Sequence, residues 1–144
     1  MRAVKSERGT ALLETALTLP LLLLVSVSIF EFGRAYQTWQ VLTNAAREGA
    51  RVAVLPGQSA ANVQARVQSY LTNGQLPNAA TATVSVNQAS TIPIGVGTAS
   101  ASIVTVSYPF SFMVLQPVAQ LVVNGSTLGT PFAMTASSKM RNEQ

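Results

Sequence analysis

Hydrophobic patterning divides the chain into three regimes. From Thr10 to Phe30 the residues are apolar on every side, and Glu14 is the one charge among 21 positions. A helix of that length spans roughly 31 Å, about the thickness of a bilayer's hydrocarbon core, so the stretch predicts a single membrane-spanning helix. Beyond Phe30 the charges return, from Glu31 on, without a turn signal. At 100° per residue, Phe32, Ala35, Tyr36, Trp39, Leu42, Ala46, Gly49, Ala50 and Ala53 fall on one face, with Gln37, Asn44, Glu48 and Arg51 opposite. The helix is expected to run on as an amphipathic stalk over residues 31–55, where Pro56 and Gly57 end it.

A second, shorter helix follows in the pattern, with Ser59 as N-cap, Val63, Val67, Tyr70 and Leu71 at helical spacing, and Asn73-Gly74 as its stop. From Ala80 the period changes to two. Ala82, Val84 and Val86 alternate with Thr83, Ser85 and Asn87, and Val104, Val106 and Tyr108 with Thr105 and Ser107. Phe132, Met134, Ala136 and Met140 alternate with Thr135, Ser137 and Lys139. The alternation predicts three half-buried strands. Pro93, Gly95 and Gly97 mark the connection between the first two, and their G-x-G lacks the following helix and Lys of a phosphate loop. Ser111 to Asn124, apolar at mixed spacing and broken by Pro117, reads as a short helix or loop covering the sheet; an exposed Phe112, Met113 and Leu115 surface would instead mark a partner site. The predicted fold class is α+β, a long N-terminal helix followed by a head of one helix and a small antiparallel sheet over residues 56–144.

Individual positions on the long helix carry candidate roles. Glu14 lies inside the apolar span, where an ionised carboxylate costs roughly 2.5–3.5 kcal/mol at a helix centre and is retained mostly for a purpose. Pro20 removes the hydrogen bond to the Ala16 carbonyl and bends the helix. Tyr36 and Trp39 fall about 9 and 13 Å past Phe30, where they serve as headgroup anchors, as the core face of the stalk, or as both. Ala46, Gly49, Ala50 and Ala53 are small enough to admit another backbone, from the same chain or from a second subunit.

Composition narrows the chemistry. The chain has no Cys, His or Asp, and its five Glu, at 7, 14, 31, 48 and 143, form no paired acid/base spacing. Disulfides, metal sites and the usual general bases are therefore not expected, nor is a cofactor or an enzymatic activity. Lys5 and Lys139 sit in no S-x-x-K motif. Arg2, Lys5 and Arg8 against Glu7 give the first nine residues a net charge of +2, half the excess of the whole chain. That placement is a topology signal for a cytoplasmic N-terminus and an extracytoplasmic head, not a nucleic-acid footprint. A conventional signal peptide cut after Ser26 or Ser28 is the rival reading, and Glu14 counts against it.

A basic leader ending in Gly9, then Thr10, four residues on Glu14, and a long apolar helix together resemble the type IV prepilin pattern. The longer run through ERG, ALLETALTLPLLLL, IFEFGRAY and VLTNAAREGAR resembles the TadE-like proteins of the tight-adherence (Tad/Flp) pilus system. VTVSYPF and ASSKMRNE carry a weaker likeness toward the C-terminus. The resemblance implies a pilin-like minor pseudopilin or pilus assembly factor in the bacterial inner membrane. A prepilin-type peptidase would cut between Gly9 and Thr10, removing residues 1–9. Residues 10–30 would then serve as the span, and Glu14 would pair with the new Thr10 amino group to set register. Other pilin subunits would be the partners, in a homo- or hetero-oligomer, with Phe32, Tyr36, Trp39, Ala46, Gly49, Ala50 and Ala53 as candidate packing positions. Thr10 departs from the commonest prepilin pattern, which has a large apolar residue after the cut. The alternative is a membrane-anchored extracytoplasmic binding or scaffold module that enters no filament.

Overall fold

A computed structural model describes residues 7–142. It contains the helices α1 (Glu7–Ala53), α2 (Ala60–Asn73) and α3 (Leu115–Val122), the strands β1 (Thr83–Ile94), β2 (Gly97–Phe110) and β3 (Phe132–Arg141), and a 3-10 turn at Ala79–Thr81. The strands form one antiparallel sheet in the order β1-β2-β3. The architecture is α+β, as the alternating and helical periods predict. By contacts the chain divides into two units, whose described residues are 7–34 with 111–130, and 35–110 with 131–142.

In the sheet unit, β2 is central and buries Val104, Val106, Tyr108 and Phe110 on one face. The C-terminal half of α1 and α2 add Leu42, Ala45, Ala46, Ala50, Ala53, Val63, Val67 and Leu71 to the buried core, and β3 adds Met134 and Ala136. At Gly49 all three elements meet. A Cβ there would come within 2.5 Å of Val67 Cγ2 and 3.0 Å of Val104 Cγ1, so only glycine lets α1 lie this close.

The sequence signals for α2 translate directly. Ser59 accepts a hydrogen bond from the Asn62 N–H and caps the helix, and Gly74 follows its last residue. Gly74 has an ordinary φ of −74°, so its need for glycine is spatial: a Cβ would come within 2.7 Å of Val41 Cγ1.

The strands are longer than the alternating runs alone predict. β1 and β2 extend through the Pro93–Gly97 region and close on a two-residue turn at Gly95-Val96, with Gly95 at φ +56°. One extra residue in β1 between Asn87 and Ser90 forms a bulge. There the Gln88 side chain donates to the carbonyls of Ala53 (3.1 Å) and Gln58 (3.0 Å), which satisfies a carbonyl at the end of α1.

The buried stripe of α1 differs from the predicted face. Ala35, Thr38, Leu42, Ala45, Ala46, Gly49, Ala50 and Ala53 are buried, whereas Phe32, Tyr36 and Trp39 are 61%, 62% and 46% exposed. Small side chains win the inner face because they let the helix axis approach α2 and the sheet; the aromatics are left on its flank. Tyr70 of α2, expected on its apolar face, is exposed, while Val63, Val67 and Leu71 are buried.

The candidate anchor and collar site

From Thr10 to Phe30 no residue of the helix is buried. Ten of its large apolar residues are at least half exposed, Leu17 reaching 79% and Ile29 70%. The most apolar 18-residue window has a mean hydropathy of 2.1 and none of it is buried. A core helix of a soluble protein is covered; this one is not.

Local hydrogen bonding lowers the cost of its polar residues. The hydroxyls of Thr15, Thr18, Ser26 and Ser28 each donate to the carbonyl four residues back, at 2.7–2.9 Å, so none needs water. Twelve Leu, Val, Ile and Phe side chains lie between positions 10 and 30. At mid-membrane values they favour insertion by about 4–7 kcal/mol in all, more than the roughly 2.5–3.5 kcal/mol that one central charge costs. Glu14 alone therefore does not keep the helix out of a membrane.

The residues singled out in the sequence take the following places. Gly9 and Thr10 lie within the first turns of α1, which is already helical from Glu7. Glu14 is exposed on α1, four residues after Thr10. Ala46, Gly49, Ala50 and Ala53 are buried inside the sheet unit, so close approach is realised within the chain.

Sequence reasoning passed over Glu31, which anchors the other unit. Its side chain is fully buried. Oε1 accepts from the N–H groups of Met113 (2.7 Å) and Val114 (2.6 Å) at the start of α3, and Oε2 accepts from Arg34 Nε (3.2 Å) and Nη2 (2.8 Å). Arg34 also donates to the Ser111 carbonyl, and Phe112 packs edge-to-face on Phe32 at 6.1 Å. Glu31 lies just beyond the 10–30 span. Burial pushes its carboxyl up, but hydrogen bonds from Arg34, Val114 and Met113 and the guanidinium charge outweigh that and hold it below its ordinary 4.5. One signal was legible: at 100° per residue Glu31 is within about 20° of Leu42, a charge on the core face with Arg34 one turn away.

The short helix expected in Ser111–Asn124 is α3, and the segment is joined to α1 through Glu31. The segment groups with residues 7–34 and is tied to Glu31, whose buried carboxylate accepts from the Met113 and Val114 amides. Among the described residues no cluster of three or more metal-binding side chains exists.

A long, unshielded apolar helix carrying a small α+β body defines a protein anchored to a membrane by one N-terminal segment. Residues 9–51 match the model of the family described as TadE-like protein. The match covers just under a third of the chain, and this TadE-like segment supports involvement in the Tad pilus system. Neither the curated proteins nor the solved structures give a match.

Proposed function

We propose that the protein is a minor pseudopilin or assembly factor of a Tad-type pilus or secretion system, held in the cytoplasmic membrane by residues 10–30. The observation that carries this reading is the TadE-like match, which coincides with the unshielded half of α1 and its continuation into the sheet unit. In this reading the N-terminus is cytoplasmic, the head is extracytoplasmic, and a prepilin-type peptidase cuts between Gly9 and Thr10. The freed amino group of Thr10 then pairs with Glu14, one turn along the helix or in a neighbouring subunit. Pairing offsets the burial of both charges and fixes axial register.

Because the small-residue stripe is used within the chain, subunit packing falls to the 10–30 span and to the flank carrying Phe32, Tyr36 and Trp39. Glu14→Ala tests the mechanism: the variant is expected to insert in the membrane as the parent does, yet to be missing from isolated pilus complexes. Normal incorporation of that variant would refute the register role. The same consumption of the stripe favours a second reading, an anchored scaffold module outside the filament. Under it the parent protein itself fails to co-purify with pilus components.

A further inference from the structure

Ser111–Thr130 has chemistry that anchoring by α1 does not use. Its 20 residues include no Asp, Glu, Lys or Arg. Leu115 and Ala119, one turn apart on α3, are buried, while Met113, Val123 and Leu128 are 68%, 60% and 61% exposed. An uncharged segment with this much open apolar surface is poorly suited to water.

Its attachment fixes its depth. Glu31, which holds the Met113 and Val114 amides, is one residue beyond Phe30, and Arg34, which holds the Ser111 carbonyl, is about 6 Å beyond it. The headgroup layer outside the hydrocarbon is about 5–8 Å thick on each side, so both tethers fall inside it. On α1 itself, Leu24, Val27 and Ser28 are half-buried among exposed neighbours, and 111–130 is the other stretch of chain in that unit. Some part of the chain therefore packs against the last two turns of the span.

Backbone bonding fits the same surroundings. The Met113 and Val114 N–H groups at the start of α3 end on Glu31, and the returning loop comes so close that a Cβ on Gly129 would sit 2.7 Å from the Gln116 nitrogen.

We propose that Ser111–Thr130 is a second membrane-seated element, an uncharged flap in the headgroup–acyl boundary at the C-terminal end of the α1 span, with Met113, Val123 and Leu128 in lipid. The inference rests on the reading of residues 10–30 as a membrane span. Lipid is the occupant because the tethers set the flap at headgroup depth and because the flap offers no charge to a protein partner's surface.

The native chain has no Cys, so single nitroxide labels can report depth. The full chain is reconstituted in liposomes of phosphatidylethanolamine and phosphatidylglycerol. Collision with oxygen, which concentrates in hydrocarbon, is compared with collision with a water-confined nickel chelate. Met113→Cys, Val123→Cys and Leu128→Cys carry the test; Leu22→Cys in the span and Ser69→Cys on α2 are the references. All three test positions are exposed, so the label displaces no packed side chain. The expected result is an oxygen-to-nickel ratio at all three positions several-fold above that at Ser69→Cys and below that at Leu22→Cys. Ratios equal to Ser69→Cys, with Leu22→Cys in lipid, overturn the flap and leave the span intact. Low collision with both reagents assigns the surface to a protein partner and also overturns it. A Leu22→Cys label in water overturns the span and the flap together.

Discussion

Glu14 and Glu31 sit on one helix in opposite circumstances. Glu14 stands exposed on α1, and the register role proposed for it depends on the amino group that cleavage before Thr10 would free. Glu31 has its partners in place, two amides on one oxygen and a guanidinium on the other. Removing one member of such a set leaves the others buried and unmatched, which costs more than the set contributes net. Glu31→Ala is accordingly expected to destabilise the docking of residues 111–130 by about 1–3 kcal/mol. Hydrogen exchange should show faster exchange at Met113 and Val114 with α2 and the sheet unchanged; unchanged protection at those two amides would contradict the assignment. The carboxyl is held below 4.5, so its contribution is fully present above that pH and fades as pH falls through the lower, folded value. A carboxyl-carbon NMR titration of the detergent-solubilised chain should place the Glu31 midpoint under 4.5, and a midpoint at or above it would count against the bonding described.

At the scale of elements, α1 offers an internal comparison. Gly33 has nothing within 4 Å of where a Cβ would stand, whereas at Gly49 a Cβ meets side chains of α2 and β2. Gly33→Ala is expected to be neutral or to stabilise by up to about 1 kcal/mol through helix propensity. Gly49→Ala is expected to cost about 1–3 kcal/mol, because Val67 and Val104 must move in a packed core. Thermal unfolding of the two variants in the same detergent decides it, and equal midpoints would mean that α1 does not lie on Val67 and Val104 as described. The cap of α2 is a milder case: Ser59→Ala removes the acceptor for the Asn62 N–H and should cost about 1 kcal/mol in the same assay.

For the whole molecule, the informative quantity is where the chain recovered from membranes begins. The Gly9–Thr10 bond lies in helical backbone, so a peptidase acting there would have to unwind the first turn. Intact-mass measurement of protein recovered from membranes should give a chain starting at Thr10. A chain retaining residues 1–9 would remove the amino group on which the Glu14 pairing depends, while one starting after Ser28 would mean that the apolar helix is a signal peptide.

The span, the first two helices and the three strands were legible because each follows from residues a few positions apart: an unbroken apolar run, a Ser59 cap, a Gly74 stop, an alternation of two; Ser111–Asn124 read equally as a short helix or a loop. The small stripe of α1 was legible too, but its owner was not, since Ala46 and Gly49 fit a neighbouring subunit as well as they fit Val67 and Val104. Which flank of the helix the aromatics would occupy, and where Ser111–Thr130 would go, also stayed out of reach. Those outcomes depend on groups about 80 positions apart, Glu31 and the Met113 and Val114 amides above all, and periodicity has no term for such pairs. The sequence by itself determined that the N-terminal helix is apolar on every side and that a small α+β body follows it. The tertiary structure decided which face of α1 is inside and which glutamate is buried, because burial is settled by volumes and hydrogen-bond partners that meet only when the chain is folded.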